Sequence, residues 1–153
     1  MERSGTVTKT RGGFLISKIK QVQGRVFERL LAAHGIDQFN GAQGRILFVL
    51  WEEDNISISD LSERTGLAKT TLTSMLDRLE ASGHIQRTSH PDDRRRTNIR
   101  LTAAARGMQG PYDEVSRRMS KVFYEGFDDQ EIALFERMLE RVLDNMTARE
   151  ATR

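Results

Sequence analysis

ISISDLSERTGLAKTTLTSMLDRLEASG, Ile56 to Gly83, is the stretch whose reading decides the fold. Ser59 stands where it can cap a brief helix, Asp60 to Thr65, which Gly66 ends. A second helix follows from about Ala68 to Ser82, stopped by Gly83. Two helices joined by a short glycine-containing turn form a helix-turn-helix pattern, with Leu61 and Leu67 placed to brace the first against the second. On the second helix Leu72, Met75, Leu76 and Leu79 fall within about 100° of arc. The opposite side carries Thr70, Thr73, Ser74 and Asp77, flanked by Thr71 and Arg78.

Taken alone, that polar side is also what the solvated face of any amphipathic helix offers. Solvated faces are usually rich in Lys and Glu, however, whereas short hydroxyl side chains dominate here. Such a face suits a helix pressed into the ~12 Å wide major groove of double-stranded DNA. Hydroxyls bond phosphate or base edges, and threonine methyls can touch thymine methyls. Lys69 opens the helix, where the positive end of its dipole also favours phosphate.

Immediately downstream, His84 to Thr88 and Thr97 to Leu101 read as two strands joined by an arginine-rich loop. The segment SHPDDRRRTNIRLT (Ser89–Thr102) concentrates Arg94, Arg95 and Arg96 behind Asp92 and Asp93. A helix-turn-helix followed by a hairpin is a winged helix, whose wing tip lies beside the groove that the helix enters. Arginines there meet phosphates or enter a narrow, strongly negative minor groove. Asp93, at hairpin-turn spacing, is placed to bond the turn backbone and to pair with Arg95. A charged solvent-exposed loop is the ordinary alternative for this segment, and the preceding helix pair argues against it.

The 153 residues suffice for one domain. Net charge is only +2, so the pointer to nucleic acid is the local arginine cluster and not global basicity. Cysteine is absent, which removes disulfides, thiolate metal sites and cysteine nucleophiles. His34, His84 and His90 are scattered, which suits solvated or structural roles better than a zinc site, and no cofactor is expected. The polar start MERSGTVTKTRGG lacks the apolar core of a signal peptide. No apolar run approaches the ~20 residues of a membrane span, so a cytoplasmic protein is expected. No phosphate-binding loop, dinucleotide fingerprint, H-E-x-x-H or G-x-S-x-G motif is present. His90, Asp92 and Asp93 on a wing tip are a poor acid–base or metal group beside three arginines. A non-enzyme is expected.

Residues 1–12 read as a flexible arm, 13–35 as a first helix and 147–153 as a frayed end. Leu15, Ile19, Val22, Val26 and Leu30 recur at helical spacing until Gly35. Asn40 with Gln43 resembles a capping box ahead of Ile46, Leu47, Val49 and Leu50. Ile56 and Ile58 suggest a very short strand. Thr102 caps a long helix towards Glu125, with a kink expected at Gly110-Pro111. Gly126 ends it. Asp128 and Glu131 form a second capping box with Phe127 stapled onto Ile132, opening a last helix. Its apolar seam, Ile132, Phe135, Leu139, Val142 and Met146, steps 3, 4, 3, 4, which suits packing against another helix.

With these residues in view, the chain resembles the multiple-antibiotic-resistance regulator (MarR) family of bacterial transcription factors from about Phe14 to Met146. The most specific part is LTSMLDRLEASGHIQRTSHPDDRRRTNIRLT. It matches the family's recognition helix, first wing strand, Asp-x-Arg wing signature (Asp93, Arg95) and the Leu-Thr before the next helix; FDDQEIALFERML resembles the last helix. The resemblance implies a mainly α (α+β) fold: a winged helix-turn-helix lobe at 40–101 with a small β-wing, and dimerisation helices at 13–35 and 102–146. It implies a homodimer reading a pseudo-palindromic operator on double-stranded DNA as a regulator, most simply a repressor. DNA contacts are then expected from Ser59, Lys69, Thr70, Thr71, Thr73, Ser74, Asp77, Arg78, Asp93, Arg94, Arg95 and Arg96. It also implies a small amphipathic or aromatic effector, with Phe14, Ile19, Phe39 and Trp51 as candidate contacts; apolar residues at such spacing are more commonly core. Ser74 and Ala105 depart from the family pattern, where basic residues and glycine are frequent, so no operator sequence carries over. A winged-helix module for protein–protein contact is the competing reading, and it has no need of three adjacent wing arginines.

Overall fold

The computed structural model describes residues 9–36, 39 and 41–151. In chain order the elements are α1 (Gly12–Ala33), α2 (Gly41–Glu52), β1 (Ile56–Ser57), α3 (Ile58–Thr65), α4 (Lys69–Ala81), β2 (Ile85–His90), β3 (Asp93–Leu101), α5 (Ala103–Gly107), α6 (Gln109–Phe123) and α7 (Asp129–Ala151). They form a helical fold with one three-stranded antiparallel sheet in the order β1-β3-β2, as the winged-helix reading requires. Two compact units result, Met1–Ser116 and Arg117–Arg153.

In the first unit, α2 buries Ile46, Leu47, Val49 and Leu50, α3 buries Leu61, and α4 buries Leu72, Leu76 and Leu79. Met75 and Leu67 pack partly buried against this cluster. The sheet adds Ile56, Ile85, Ile99 and Leu101, held by pairing Ile56 with Ile99 and Ile85 with Leu101. The turn between α3 and α4 is fixed by side chains. Gly66 takes φ +70, Ser62 Oγ donates to the Leu67 carbonyl at 3.2 Å, and Thr65 Oγ1 donates to the Leu61 carbonyl at 2.6 Å. A close approach sits in α2, where a Cβ on Gly44 would overlap the Phe39 carbonyl and lie 2.7 Å from the Tyr112 hydroxyl.

Several expectations shift. The cap of α3 is Ser57, whose hydroxyl accepts from the Asp60 amide at 3.1 Å; Ser59 lies inside the first turn. The Asn40 half of the expected capping box lies outside the described residues. The long helix after Thr102 is divided at Met108, one turn before Pro111, into α5 and α6. Pro111 has no N–H to give to the carbonyl four residues back, on Gly107, and is tolerated in the first turn of α6. The lobe does not end at residue 101 either. Ala105, Tyr112 and Val115 are buried in the same core, and Trp51 Nε1 donates to the Ala105 carbonyl at 3.0 Å. Thr102 does cap α5, accepting from the Ala105 amide at 3.3 Å.

In the second unit the expected capping box is formed. The Glu131 amide donates to Asp128 at 2.8 Å and the Asp128 amide donates to Glu131 at 3.1 Å. Phe123, Tyr124, Phe127 and Phe135 cluster at the α6–α7 turn with ring centroids 4.8–6.2 Å apart. The end expected to fray from residue 147 stays helical to Ala151. None of the residues of α7 is buried. Among the described residues no helix is long and apolar enough to cross a membrane.

Candidate nucleic-acid interface

Burying Leu72, Leu76 and Leu79 turns the other side of α4 to solvent. Lys69, Thr70, Thr71, Thr73, Ser74, Asp77 and Arg78 are all exposed. Thr73 Oγ1 donates to the Lys69 carbonyl at 2.8 Å, which spends its proton inside the helix and leaves the oxygen to accept. Ala68 at the N-cap supplies no side-chain acceptor, so the first-turn amides of α4 have no side-chain cap.

Asp77 is already engaged. Arg87, on β2, donates to Asp77 at 2.7 Å and to Glu80 at 2.8 Å, so both carboxylates of this turn are paired across to the wing. The hydrogen bond that Arg87 donates to Asp77 raises the Arg87 pKa, which keeps the guanidinium charged. The sequence offered a signal for this contact, carboxylates three apart on a helix with an arginine on the following strand, but strand register decides whether they meet.

The wing departs from the expected strand–loop–strand layout. The strands run nearly to the tip, leaving Pro91 and Asp92 as the turn. Ser89 pairs with Thr97 and His90 with Asp93. Adjacent residues on β2 thus face positions four apart on β3, and the three residues between, Arg94, Arg95 and Arg96, have no partner on β2. The arginine triplet is a bulge within β3 and not a loop. Bulges bend the strand and re-aim its side chains, and all three arginines are exposed. Asp93 accepts from the Arg95 amide at 3.0 Å, as expected of a carboxylate at that spacing. Among the described residues this backbone bond is made instead of the expected ion pair with the Arg95 guanidinium.

Ser59, Arg95 and Arg96, far apart in sequence, line one cleft of about 410 Å³ with Ser57, Ile58, Asp60 and Thr97. It runs between the start of α3 and the bulge, because β1 pairs with β3 immediately before α3 begins. The base of the wing is held by a residue the sequence did not single out. Asp54 accepts from the Leu101 amide at 2.9 Å and pairs with Arg106 at 2.9 Å. Beside it, Asn55 adopts φ +58.

The candidate effector contacts are not brought together. Phe14 and Ile19 are exposed on α1. Phe39 is fully buried with its ring edge-on to His84 at 4.7 Å. Trp51 lies 5.0 Å from Tyr112, which in turn meets Phe27 at 5.7 Å. Among the described residues no group of three or more His, Asp and Glu is placed to hold a metal ion.

The model of the MarR family matches residues 39–97, which span α2 to the wing bulge. The HTH-type transcriptional regulator TtmR of Methylorubrum extorquens (strain PA1) is 41% identical over 90 residues, covering 59% of this chain and 45% of that protein. The chain thus matches less than half the length of that relative. The HTH-type transcriptional repressor YetL of Bacillus subtilis (strain 168) is 25% identical over 136 residues, covering 84% of this chain and 77% of YetL. Among solved structures, a mutant MarR from E.coli complexed with operator DNA superposes with TM-score 0.76 at 25% identity, covering 86% of this chain and 92% of that one. The helix pair, the β1-β3-β2 wing and the Asp93–Arg95 turn are all in place, and over residues 39–97 the chain matches the MarR family of transcriptional regulators.

Proposed function

We propose that this chain is a transcriptional regulator, most simply a repressor, that binds double-stranded DNA as a homodimer. The observation that carries the reading is one lobe presenting both a compact hydroxyl face on α4 and a bulge of three free arginines on β3. In this reading α4 enters the major groove, with Thr70, Thr71, Thr73 and Ser74 as readers and Lys69 and Arg78 at the backbone. Ser59 with Arg95 and Arg96 receives a flanking phosphate, Arg94 anchors the wing, and Asp93 holds the bulge. The operator complex of the MarR relative supports the DNA partner.

A second copy is supported by exposed apolar surface. Phe14, Leu15, Ile16, Ile19 and Val22 on α1 are each at least 42% exposed. On α7 the ridge Leu134, Met138, Val142 and Met146, spaced by four, is at least 45% exposed. An isologous contact needs a self-complementary surface, and reversing this ridge maps Leu134 onto Met146 and Met138 onto Val142. Two lobes then meet half-sites about 10 base pairs apart on a pseudo-palindrome. A cytoplasmic location goes with this role. A small effector would find Phe14 and Ile19 open, whereas Phe39 and Trp51 serve the lobe core. The alternative, a protein-binding winged helix, leaves the arginine bulge without a purpose.

Selection of bound fragments from random duplex DNA by the purified protein tests the reading. A recovered inverted repeat at that spacing is expected. Absence of any enriched sequence, together with no duplex affinity at low salt, refutes it.

A further inference from the structure

Arg87 differs from the bulge arginines. Its side chain is only 26% exposed, and both terminal nitrogens are committed to carboxylates one turn apart on α4. Asp77 stands four residues after Thr73 and seven after Thr70, on the hydroxyl face itself. A free carboxylate there would oppose the phosphates that α4 must approach, and Glu80 would add a second negative charge one turn on. With Arg87 in place these three side chains sum to a single negative charge, and the cation lies between the two acids.

From this geometry we infer that Arg87 is a positioning residue for duplex binding that acts by cancelling the carboxylates of the reading helix, without itself touching nucleic acid. The inference rests on the DNA-binding reading above. It gives α4 a reason to tolerate acids on a face that meets a polyanion. It also assigns Asp77 a different part from the one its position suggested, since it is the partner of Arg87 and not a base reader.

The two roles of an arginine near DNA separate by charge rescue. Binding of a selected duplex is measured at one moderate salt concentration for the wild type, Arg87→Ala, Arg87→Gln, Asp77→Asn/Glu80→Gln and the triple variant Asp77→Asn/Glu80→Gln/Arg87→Ala. Thermal melting of each variant confirms that it folds. Like charges brought together at an interface cost affinity steeply, so Arg87→Ala and Arg87→Gln are each expected to lose about tenfold. The triple variant is expected to return to within about threefold of the wild type, because nothing is left to cancel. With Arg87 intact, neutralising Asp77 and Glu80 leaves affinity unchanged or higher. If the triple variant stays as weak as Arg87→Ala, the guanidinium is a DNA contact and the inference fails. It also fails if Arg87→Ala binds like the wild type. A wild type that binds no duplex refutes DNA recognition first, and the inference with it.

Discussion

The triple-arginine bulge makes a quantitative prediction about salt. Arg94, Arg95 and Arg96 are exposed, and among the described residues none has an ion-pair partner. Each is therefore free to neutralise one phosphate. Every phosphate neutralised contributes about 0.9 to the slope of log K against log salt, through release of a condensed counterion. Replacing Arg94 and Arg95 by alanine should lower the slope by about 1.8 per protomer and about 3.6 per dimer. Between 50 and 200 mM salt, a wild type to variant affinity ratio should consequently shrink by about two orders of magnitude. The assay is fluorescence anisotropy of a labelled duplex titrated at four or more salt concentrations, with a scrambled duplex alongside. Because phosphate contacts carry no sequence information, both duplexes should lose affinity in parallel. An unchanged slope would remove the wing from the interface. A loss confined to the selected duplex would turn these arginines into base readers.

Three further outcomes follow from the packing. Gly44→Ala forces a Cβ against the Phe39 carbonyl and the Tyr112 hydroxyl, an overpacking of about 1–3 kcal/mol. The melting temperature should fall by roughly 3–10 °C, and a melt indistinguishable from the wild type would show that the Phe39 backbone yields freely. His84 packs against Phe39, and burial lowers its pKa from 6.5. In the window between that lowered value and about 6.5 the unfolded chain binds more protons, so stability held above it is lost as pH falls. Denaturant midpoints of His84→Gln followed from pH 8 to pH 5 should lack this contribution, and a slope equal to the wild type would assign the loss to other groups. Met138→Glu/Val142→Glu places charges on the exposed α7 ridge, where neither side chain is buried. Sedimentation should show monomers that melt normally. Losing the second lobe should weaken operator binding by at least about a hundredfold, and a persisting dimer would exclude the ridge as its interface.

What the sequence disclosed was local. The glycines at 35, 66, 83 and 126 stop elements where expected, since each adopts positive φ and only glycine does so without strain. The Asp128–Glu131 box and the apolar arc of α4 were legible because their partners are three or four residues away. Pro111 was read correctly as a breaker and misplaced by one turn, because a proline disrupts the bond to a carbonyl four residues earlier. Ser57 and Ser59 both offer a capping hydroxyl, and which one serves depends on where β1 releases the chain. That is decided by pairing Ser57 with Asn98, more than forty residues on.

The same limit explains the wing. In sequence, Asp-Asp-Arg-Arg-Arg looks like a loop because charged runs between strands usually are loops. The structure makes it strand because β3 is the central strand of the sheet, paired with both β1 and β2 at Asn98 and Ile99, just beyond the point where β2 loses register. Two-sided pairing at Asn98 and Ile99, with Thr97, Arg100 and Leu101 paired to β2, can hold the strand firmly enough for Arg94, Arg95 and Arg96 to swell out of the ladder without unravelling it. A loop would present the same three charges over many conformations, and ordering them on DNA would cost entropy for each long side chain. A bulge fixed at one end by Ser89–Thr97 and at the other by Asp93 on the Arg95 amide has much of that backbone ordering already done. The pairing of Arg87 with Asp77 and Glu80 ties the neighbouring strand to α4. Arginines that are free to bind and an arginine that is not are therefore parts of one arrangement, in which strand register sorts side chains of a single type into different electrostatic roles.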